Sequence, residues 1–173
     1  MITLRPFKKS DIDELVSYLN DPQVTQYITD AIPKPYKAED ANEWVTYAQS
    51  SQLTLAIEYH GGFVGCISAE RGAFEYLSSA ELGYWIARKY WRLGIATIAI
   101  KDFSDYIFRT TDINRLHVSV VTENIASSRV LEKNGFKFEG KRRQVSQKNN
   151  QFYDEDIWAL LRSEYQQNTM HQK

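Results

Sequence analysis

Apolar and polar residues alternate in Ile2–Thr3–Leu4–Arg5, and this period of two predicts an opening strand. The period then lengthens. Ile12, Leu15, Val16 and Leu19 share one face of a helix that Asn20–Asp21–Pro22 ends. Ser10–Asp11–Ile12–Asp13 reads as a capping-box-like start, with Asp where Glu is usual. Tyr27 to Tyr36 has Pro33 and Pro35 and no period, so it reads as a surface loop. Ala41, Trp44, Val45 and Ala48 restore helical spacing in a second helix, Ala38 to Ala48.

Alternation returns at Leu53, Leu55 and Ile57 and again at Phe63, Gly65, Ile67 and Ala69. His60–Gly61–Gly62 lies between them, which makes a hairpin. A further strand follows at Ala80 to Ile86, and a helix is predicted from Ile98 to Phe108, with Ile95, Ala99, Phe103 and Ile107 or a neighbouring stripe buried. Leu116, Val118 and Val120 mark another strand. Asn124 to Asn134 reads as a short helix stopped by Gly135, a natural left-handed cap. Phe136 to Val145 and Phe152 to Leu161 close the chain as two strands about the polar turn Lys148–Asn149–Asn150, and Ser163 to Lys173 reads as a fraying polar tail. The order β-α-α-β-β-β-α-β-α-β-β is an α/β (mixed α+β) pattern: a central sheet with helices on its faces.

Between the strand at 80–86 and the next helix stands Tyr90–Trp91–Arg92–Leu93–Gly94–Ile95–Ala96–Thr97. A strand, a short glycine loop and a helix start together make a place for an anion. The first turn of a helix has N–H groups without intrahelical partners, and the macrodipole adds about half a positive charge. Gly94 permits close backbone approach, Ala96 and Thr97 leave the first turn uncluttered, and Arg92 brings a full charge.

Composition narrows the classes. The 173 residues fit one domain, and 43% hydrophobic residues can fill a core. Twenty-one basic against 22 acidic residues leave a net charge of −1, which argues against nucleic-acid binding by bulk charge. No apolar run reaches a membrane span, and the amino terminus lacks a signal-peptide core. Cys66 is the lone cysteine. It excludes an internal disulfide, suits a reducing cytoplasm and reads as a small buried hydrophobe. His60, His117 and His171 are scattered and give no metal-ligand spacing, and no dinucleotide or P-loop motif occurs. The 11 Tyr, 8 Phe and 4 Trp exceed what a core normally takes, so some line a substrate cleft or a subunit interface such as a homodimer's.

The later segment Asn124-x-x-Ser127, with Leu131–Glu132–Lys133–Asn134–Gly135–Phe136, adds specificity. Together with Leu4–Arg5–Pro6, Glu81–Leu82–Gly83–Tyr84–Trp85–Ile86, the glycine loop and Tyr153–Asp154–Glu155, it makes the chain resemble the GCN5-related N-acetyltransferase (GNAT) superfamily over nearly its whole length. The likeness is to the branch that acetylates ribosomal-protein amino termini, the RimJ/RimL type. In the loop, Gly94 and Ala96 match the family pattern, while Trp91 stands where Gln or Arg is usual.

The resemblance implies one N-acetyltransferase domain over 1–165 with a polar tail at 166–173. It implies a GNAT-like fold, a twisted mixed sheet of about six to seven strands flanked by about four helices. A splayed strand pair would open between 80–86 and 116–121. Acetyl-CoA would be the cosubstrate, with no metal. Its pyrophosphate would rest on the main chain of Arg92, Leu93, Gly94, Ile95, Ala96 and Thr97, and its pantetheine would pair with the backbone at Trp85 and Ile86 and meet Asn124. Glu81 would be the base, directly or through water. Leu131 occupies the place of a common family Tyr, so Ser127 becomes the candidate acid, ahead of Tyr84 and Tyr153. The loop Tyr27–Tyr36 and the turn near Lys148–Asn150 would wall the acceptor.

Acceptor chemistry is partly legible from acidity. At pH 7 about one α-amine in seven is neutral, against about one lysine in 2,500, a difference of about 3.5 kcal/mol. That favours a protein or peptide amino terminus. A small amine, such as a polyamine, an amino acid or an aminoglycoside, is the alternative enzyme substrate, and a non-catalytic acyl-CoA-binding module is the alternative of another class.

Overall fold

The computed structural model describes residues 1–170, so His171 and the last two residues of the expected tail lie outside the described residues. Seven strands hydrogen-bond in the order β1-β2-β3-β4-β5-β7-β6. They are β1 (Ile2–Arg5), β2 (Thr54–Tyr59), β3 (Gly62–Arg71), β4 (Ser79–Ile86), β5 (Arg115–Val121), β6 (Lys137–Lys148) and β7 (Gln151–Leu161). The helices are α1 (Ile12–Leu19), α2 (Pro22–Thr25), α3 (Ala38–Ser50), α4 (Ile95–Thr110), α5 (Ile125–Lys133) and α6 (Arg162–Met170). The sheet is mixed, as expected. β4 and β5 run parallel, while β1–β2, β2–β3, β5–β7 and β6–β7 run antiparallel. The chain forms two compact units, Met1–Ser68 with Tyr84–Ala99, and Ala69–Gly83 with the chain from Ile100 onward.

In the first unit, α1 and α3 bury the faces that the spacing marks. Leu15, Leu19, Ala41, Val45 and Ala48 join Phe7, Tyr18, Val24, Tyr36, Ala56, Phe63 and Cys66 in one core. Cys66 is fully enclosed, and burial pushes its thiol up to about 12, so it is an inert hydrophobe. The start of α1 differs from the capping box read at Ser10. A short 3-10 turn, Lys9–Asp11, precedes the helix, and Asp11 Oδ2 accepts the Lys8 N–H at 2.8 Å. Asp11 also takes a two-pronged ion pair from Arg5, and this holds its carboxylate at the start of the helix. The break at Asp21–Pro22 starts a further short helix, α2, where Asp21 caps Gln23 N–H at 2.9 Å. The loop Tyr27–Tyr36 is tied at its end by Asn20, whose side chain bonds Tyr36 N–H at 2.9 Å and Tyr36 C=O at 2.8 Å.

In the second unit, Leu116, Val118 and Val120 are buried on β5, as are Ile100, Phe103 and Ile107 on α4. Gly135 closes α5 with φ +79°, the left-handed cap expected there. Asn149 and Asn150, at φ +50° and +61°, form the β6–β7 turn, which needs positive φ at both positions to match strand twist. Two expectations are corrected. Helix α4 begins at Ile95, three residues before Ile98, because Ala96 and Thr97 enter the first turn. Residues 163–170 belong to helix α6 instead of fraying. Arg162 pins that helix by donating to the carbonyls of Phe108, Thr111 and Ile113, and Tyr165 bonds Asp105.

Arg5 carries a testable load in the first unit. It bonds Asp11 at 2.8 Å through both terminal nitrogens and Glu58 at 2.5 Å through Nε. Arg5→Ala leaves the buried Asp11 without its cation and is expected to cost about 3 kcal/mol in urea unfolding. Arg5 also holds the Glu58 carboxyl below its usual range, chiefly by that hydrogen bond. The Glu58 share of stability is therefore present above the ordinary glutamate pKa of about 4.3 and is lost as pH falls through the lower folded value. In acid titrations of stability, Arg5→Ala should flatten this limb.

Candidate functional site

The anion-site candidate lies in the first unit, where the end of β4 passes into α4. Its foundation is a contact between backbones. Gly65 on β3 sits so close under β4 that a Cβ there would lie 2.2 Å from the Trp85 carbonyl oxygen. Ala87 N–H donates to Val64 C=O at 2.8 Å one step further along. The Trp85 ring meets Phe63 edge-on at 5.9 Å, and Phe63 in turn meets Phe7 at 5.6 Å and Tyr18 at 6.1 Å. Aromatic packing thus holds Trp85 from the side while Gly65 admits its main chain.

Beyond Ile86 the chain makes a 3-10 turn at Arg88–Tyr90 and then the loop. Trp91, the departure from the family pattern, has a structural role. Its indole N–H donates to Ile86 C=O at 2.7 Å and so folds the loop back on the strand end. That bond occupies one lone pair of a carbonyl expected to face pantetheine, and the second remains. Arg92 adopts φ +63° and Gly94 φ +76°. At Gly94 a Cβ would meet nothing within 4 Å, so the glycine serves backbone conformation and leaves open space above it. Ile98 N–H makes the first helical bond, to Gly94 C=O at 3.2 Å. The N–H groups of Ile95, Ala96 and Thr97 precede it and have no carbonyl one turn back. Arg92, Leu93 and Gly94 are exposed, Ala96 and Thr97 are half-buried, and Ile95 is buried as the helix anchor. Trp85, Ile86 and Arg92 to Thr97 therefore form one continuous feature: a strand end, a loop with two left-handed residues and an unpaired helix start.

Charge is arranged upstream of this feature. Lys89 Nζ lies 5.1 Å over the Tyr18 ring and 5.0 Å over the Tyr90 ring, and hydrogen bonding to Tyr18 holds its ammonium above the usual lysine range. A cavity of about 210 Å³ opens beside Tyr18, Asp21, Arg88 and Lys89, and none of the residues expected to touch the cofactor lines it.

The other candidates lie in the second unit. Asn124 caps α5 and accepts Ser127 N–H on Oδ1 at 3.2 Å, which joins these two residues and leaves the Asn124 amide hydrogens as donors. Leu131 on the same helix is fully buried and brings no hydroxyl. Tyr153 bonds Gln151 at 3.3 Å. Glu81 is exposed on β4, at the last rung of a three-rung parallel ladder with β5: Ser79↔Arg115, Ala80↔Leu116, Glu81↔His117. In the sequence His117 stands out only as a metal-ligand type without a partner at ligand spacing. The structure pairs it with Glu81. Burial pushes its imidazole below the usual range, Glu81 and Glu139 act in the opposite sense, and Arg115 and Arg142 add to the lowering. The alternation of β5 already put His117 opposite the apolar face, but the register that selects its partner has no local signal. Among the described residues no group of three His, Cys, Asp or Glu could hold a metal, and no helix is long and apolar enough to cross a membrane.

The chain matches the acetyltransferase (GNAT) domain over residues 1–137. It is 28% identical over 174 residues to p20, an uncharacterized N-acetyltransferase of Bacillus licheniformis, covering 95% of this chain and 94% of that one. Its fold is similar to that of Mycobacterium smegmatis RimJ in complex with CoA-disulfide, with TM-score 0.83 and 22% identity over 94% of this chain and 83% of that one. It is also similar to a spermidine N-acetyltransferase from Vibrio cholerae in complex with CoA and spermine, with TM-score 0.80 and 21% identity over 95% and 98%.

Two substitutions test how the loop is held. Gly65→Ala drives a methyl into the Trp85 carbonyl and is expected to cost about 2–3 kcal/mol as overpacking in urea unfolding. Trp91→Phe keeps the ring but loses the bond to Ile86, which costs about 1 kcal/mol.

Proposed function

Because the chain belongs to the acetyltransferase (GNAT) family and is an N-acetyltransferase, we propose that it moves the acetyl group of acetyl-CoA to the terminal α-amine of a protein or peptide. The observation that carries this reading is the unpaired start of α4. Three successive N–H groups follow two left-handed loop residues, with open space above Gly94. Such a start holds a pyrophosphate by main-chain donors and the helix dipole, on the order of 1–2 kcal/mol in a partly buried setting. The backbone at Trp85 and Ile86 takes the pantetheine amides, and Asn124 gives a further donor to that arm.

Transfer needs a neutral amine, a polarised thioester carbonyl and a proton for the departing thiolate. Glu81 is the base, directly or through water. A backbone N–H near Ile86 steadies the tetrahedral oxyanion, and the Ser127 hydroxyl hydrogen-bonds the sulfur as it leaves. An α-amine suits this machinery because it loses its proton about 3.5 kcal/mol more cheaply than lysine at pH 7. Likeness to RimJ supports the same choice, and likeness to the spermidine enzyme supports the small-amine alternative. The loop Tyr27–Tyr36 and the turn at Asn149–Asn150 are the acceptor walls in this reading.

Acetyl-CoA at about 100 times its dissociation constant should stabilise the fold by about 2.7 kcal/mol in thermal unfolding. Release of CoA thiol is then measured across Ser-, Ala- and Met-starting peptides and a set of small amines. Turnover with peptides supports the proposal. Turnover with small amines alone replaces it with the alternative, and binding without any turnover points to a non-catalytic module. Ser127→Ala and Glu81→Gln should each lower turnover about 10²-fold or more while leaving the acetyl-CoA-induced stabilisation in place. Unchanged turnover in either removes that residue from its role.

A further inference from the structure

In the second unit Glu81, His117, Ala159 and Lys137 stand in one row across β4, β5, β7 and β6. Residues directly opposite in a ladder point to the same face, and neighbouring strands lie about 4.8 Å apart. The Glu81 carboxylate and the His117 imidazole are therefore side-by-side neighbours on one face. They occupy the last rung of the β4–β5 ladder, although β5 runs on to Val121. Glu81 is exposed and His117 half-buried, so one member meets solvent and the other lies behind it.

The neighbouring charges are mostly engaged elsewhere. Arg115, two rungs away on the same face, is held two-pronged by Glu139 at 2.6 and 2.5 Å. Arg142 bonds Ser119 at 2.6 Å and Glu155 at 2.9 Å. Lys137 pairs with Glu164 at 2.6 Å. Ala159 flanks His117 on β7 and carries no charge. Each cation near the imidazole thus has an acid of its own, which leaves Glu81 as the facing anion on β4.

We propose that Glu81 and His117 form a two-residue proton relay, in which the proton that Glu81 draws from the acceptor ammonium passes to the His117 imidazole. The relay deepens the acetyl-transfer reading and rests on it. The ammonium N–H bond breaks and its proton moves to the Glu81 carboxylate, then to an imidazole nitrogen. The electron pair left on the amine nitrogen attacks the thioester carbon. When the C–S bond breaks, the sulfur keeps its electron pair and takes the second proton of the acylated nitrogen. The imidazolium returns its proton to water, and the sum is amide, CoA thiol and one released proton.

By side-chain type imidazole is a stronger base than a carboxylate by about two pKa units, and this ordering sets the direction of the relay. Burial lowers the His117 imidazole from its usual range and so favours the neutral, accepting form, while the Glu81 anion acts in the opposite sense and steadies the cation that forms. His117 acts through Glu81 and is a positioning and relay residue.

The test pairs kinetics with NMR. His117→Gln should lower kcat/KM for the acceptor about tenfold or more near pH 7, with the KM for acetyl-CoA unchanged. The deficit should narrow above pH 8, where the α-amine is already neutral. In the wild-type protein the His117 imidazole resonance, assigned by its loss in His117→Gln, should titrate at lower pH in Glu81→Gln because the facing anion is gone. A His117→Gln profile parallel to wild type at every pH overturns the relay, and so does a His117 titration indifferent to Glu81→Gln. If His117→Gln fails to fold, the imidazole is assigned instead through its backbone in isotope-labelled wild type, and the NMR comparison decides alone. Absence of acetyl transfer by the wild type to any amine defeats the underlying reading, whereas transfer with an uncoupled His117 defeats the relay alone.

Discussion

A missing side chain sets the geometry of the candidate anion site. Any Cβ at residue 65 would collide with the Trp85 carbonyl, so β3 and the end of β4 come this close because position 65 is glycine. The collision would be with main chain, which cannot swing aside as a side-chain tip can. Once Trp85 is set, Val64 C=O takes Ala87 N–H and Ile86 C=O takes the Trp91 indole N–H, and the loop that follows has its path. The left-handed turns at Arg92 and Gly94 then deliver α4 with its first donors unpaired. Each step constrains the next, from sheet packing through loop conformation to a local concentration of positive dipole.

The second unit is organised by arginine. Arg162 gathers the carbonyls of Phe108, Thr111 and Ile113, the last turn of α4 and the segment after it, at the point where β7 becomes α6. Backbone carbonyls at a helix end have no intrahelical donors, and a guanidinium offers five hydrogens in a fixed fork. Arg115 grips Glu139 through two nitrogens, and Arg142 bonds Ser119 and Glu155 through one. These pairs are partly exposed and individually worth little. Their effect is to engage the cations near His117, so that Glu81 is the facing anion from β4.

Much of the fold was legible because the two periodicities, 2 and 3.6, are local properties of the chain. Leu15 and Leu19, Ala41 and Val45, and Leu116, Val118 and Val120 are buried on the faces their spacing selects. The start of α4 was misplaced because Ala96 and Thr97 carry no apolar period, while Gly94 announces only that a turn is near. The tail was misread for a different reason. Residues 163–170 are polar by composition, and what makes them helical is an arginine reaching 49 to 54 residues back along the chain and a tyrosine reaching 60. The Glu81–His117 rung belongs to the same class. Alternation gives the face of each side chain, but which residue of β4 meets which residue of β5 is a property of register, set by parallel strands about 36 residues apart.

The departure at Trp91 follows from the same distinction between main chain and side chain. A site that grips its ligand through successive N–H groups depends on φ and ψ, and many side chains can satisfy those. A polar residue at position 91 would add one contact to a bound anion. The tryptophan instead bonds Ile86 and steadies the loop that presents all three α4 donors. Pre-organising donors that act together stabilises a bound anion without any direct contact to it, because less freedom is lost on binding. In the proposed site the charge that an Arg there would bring is left to the helix dipole and to Arg92 one residue on.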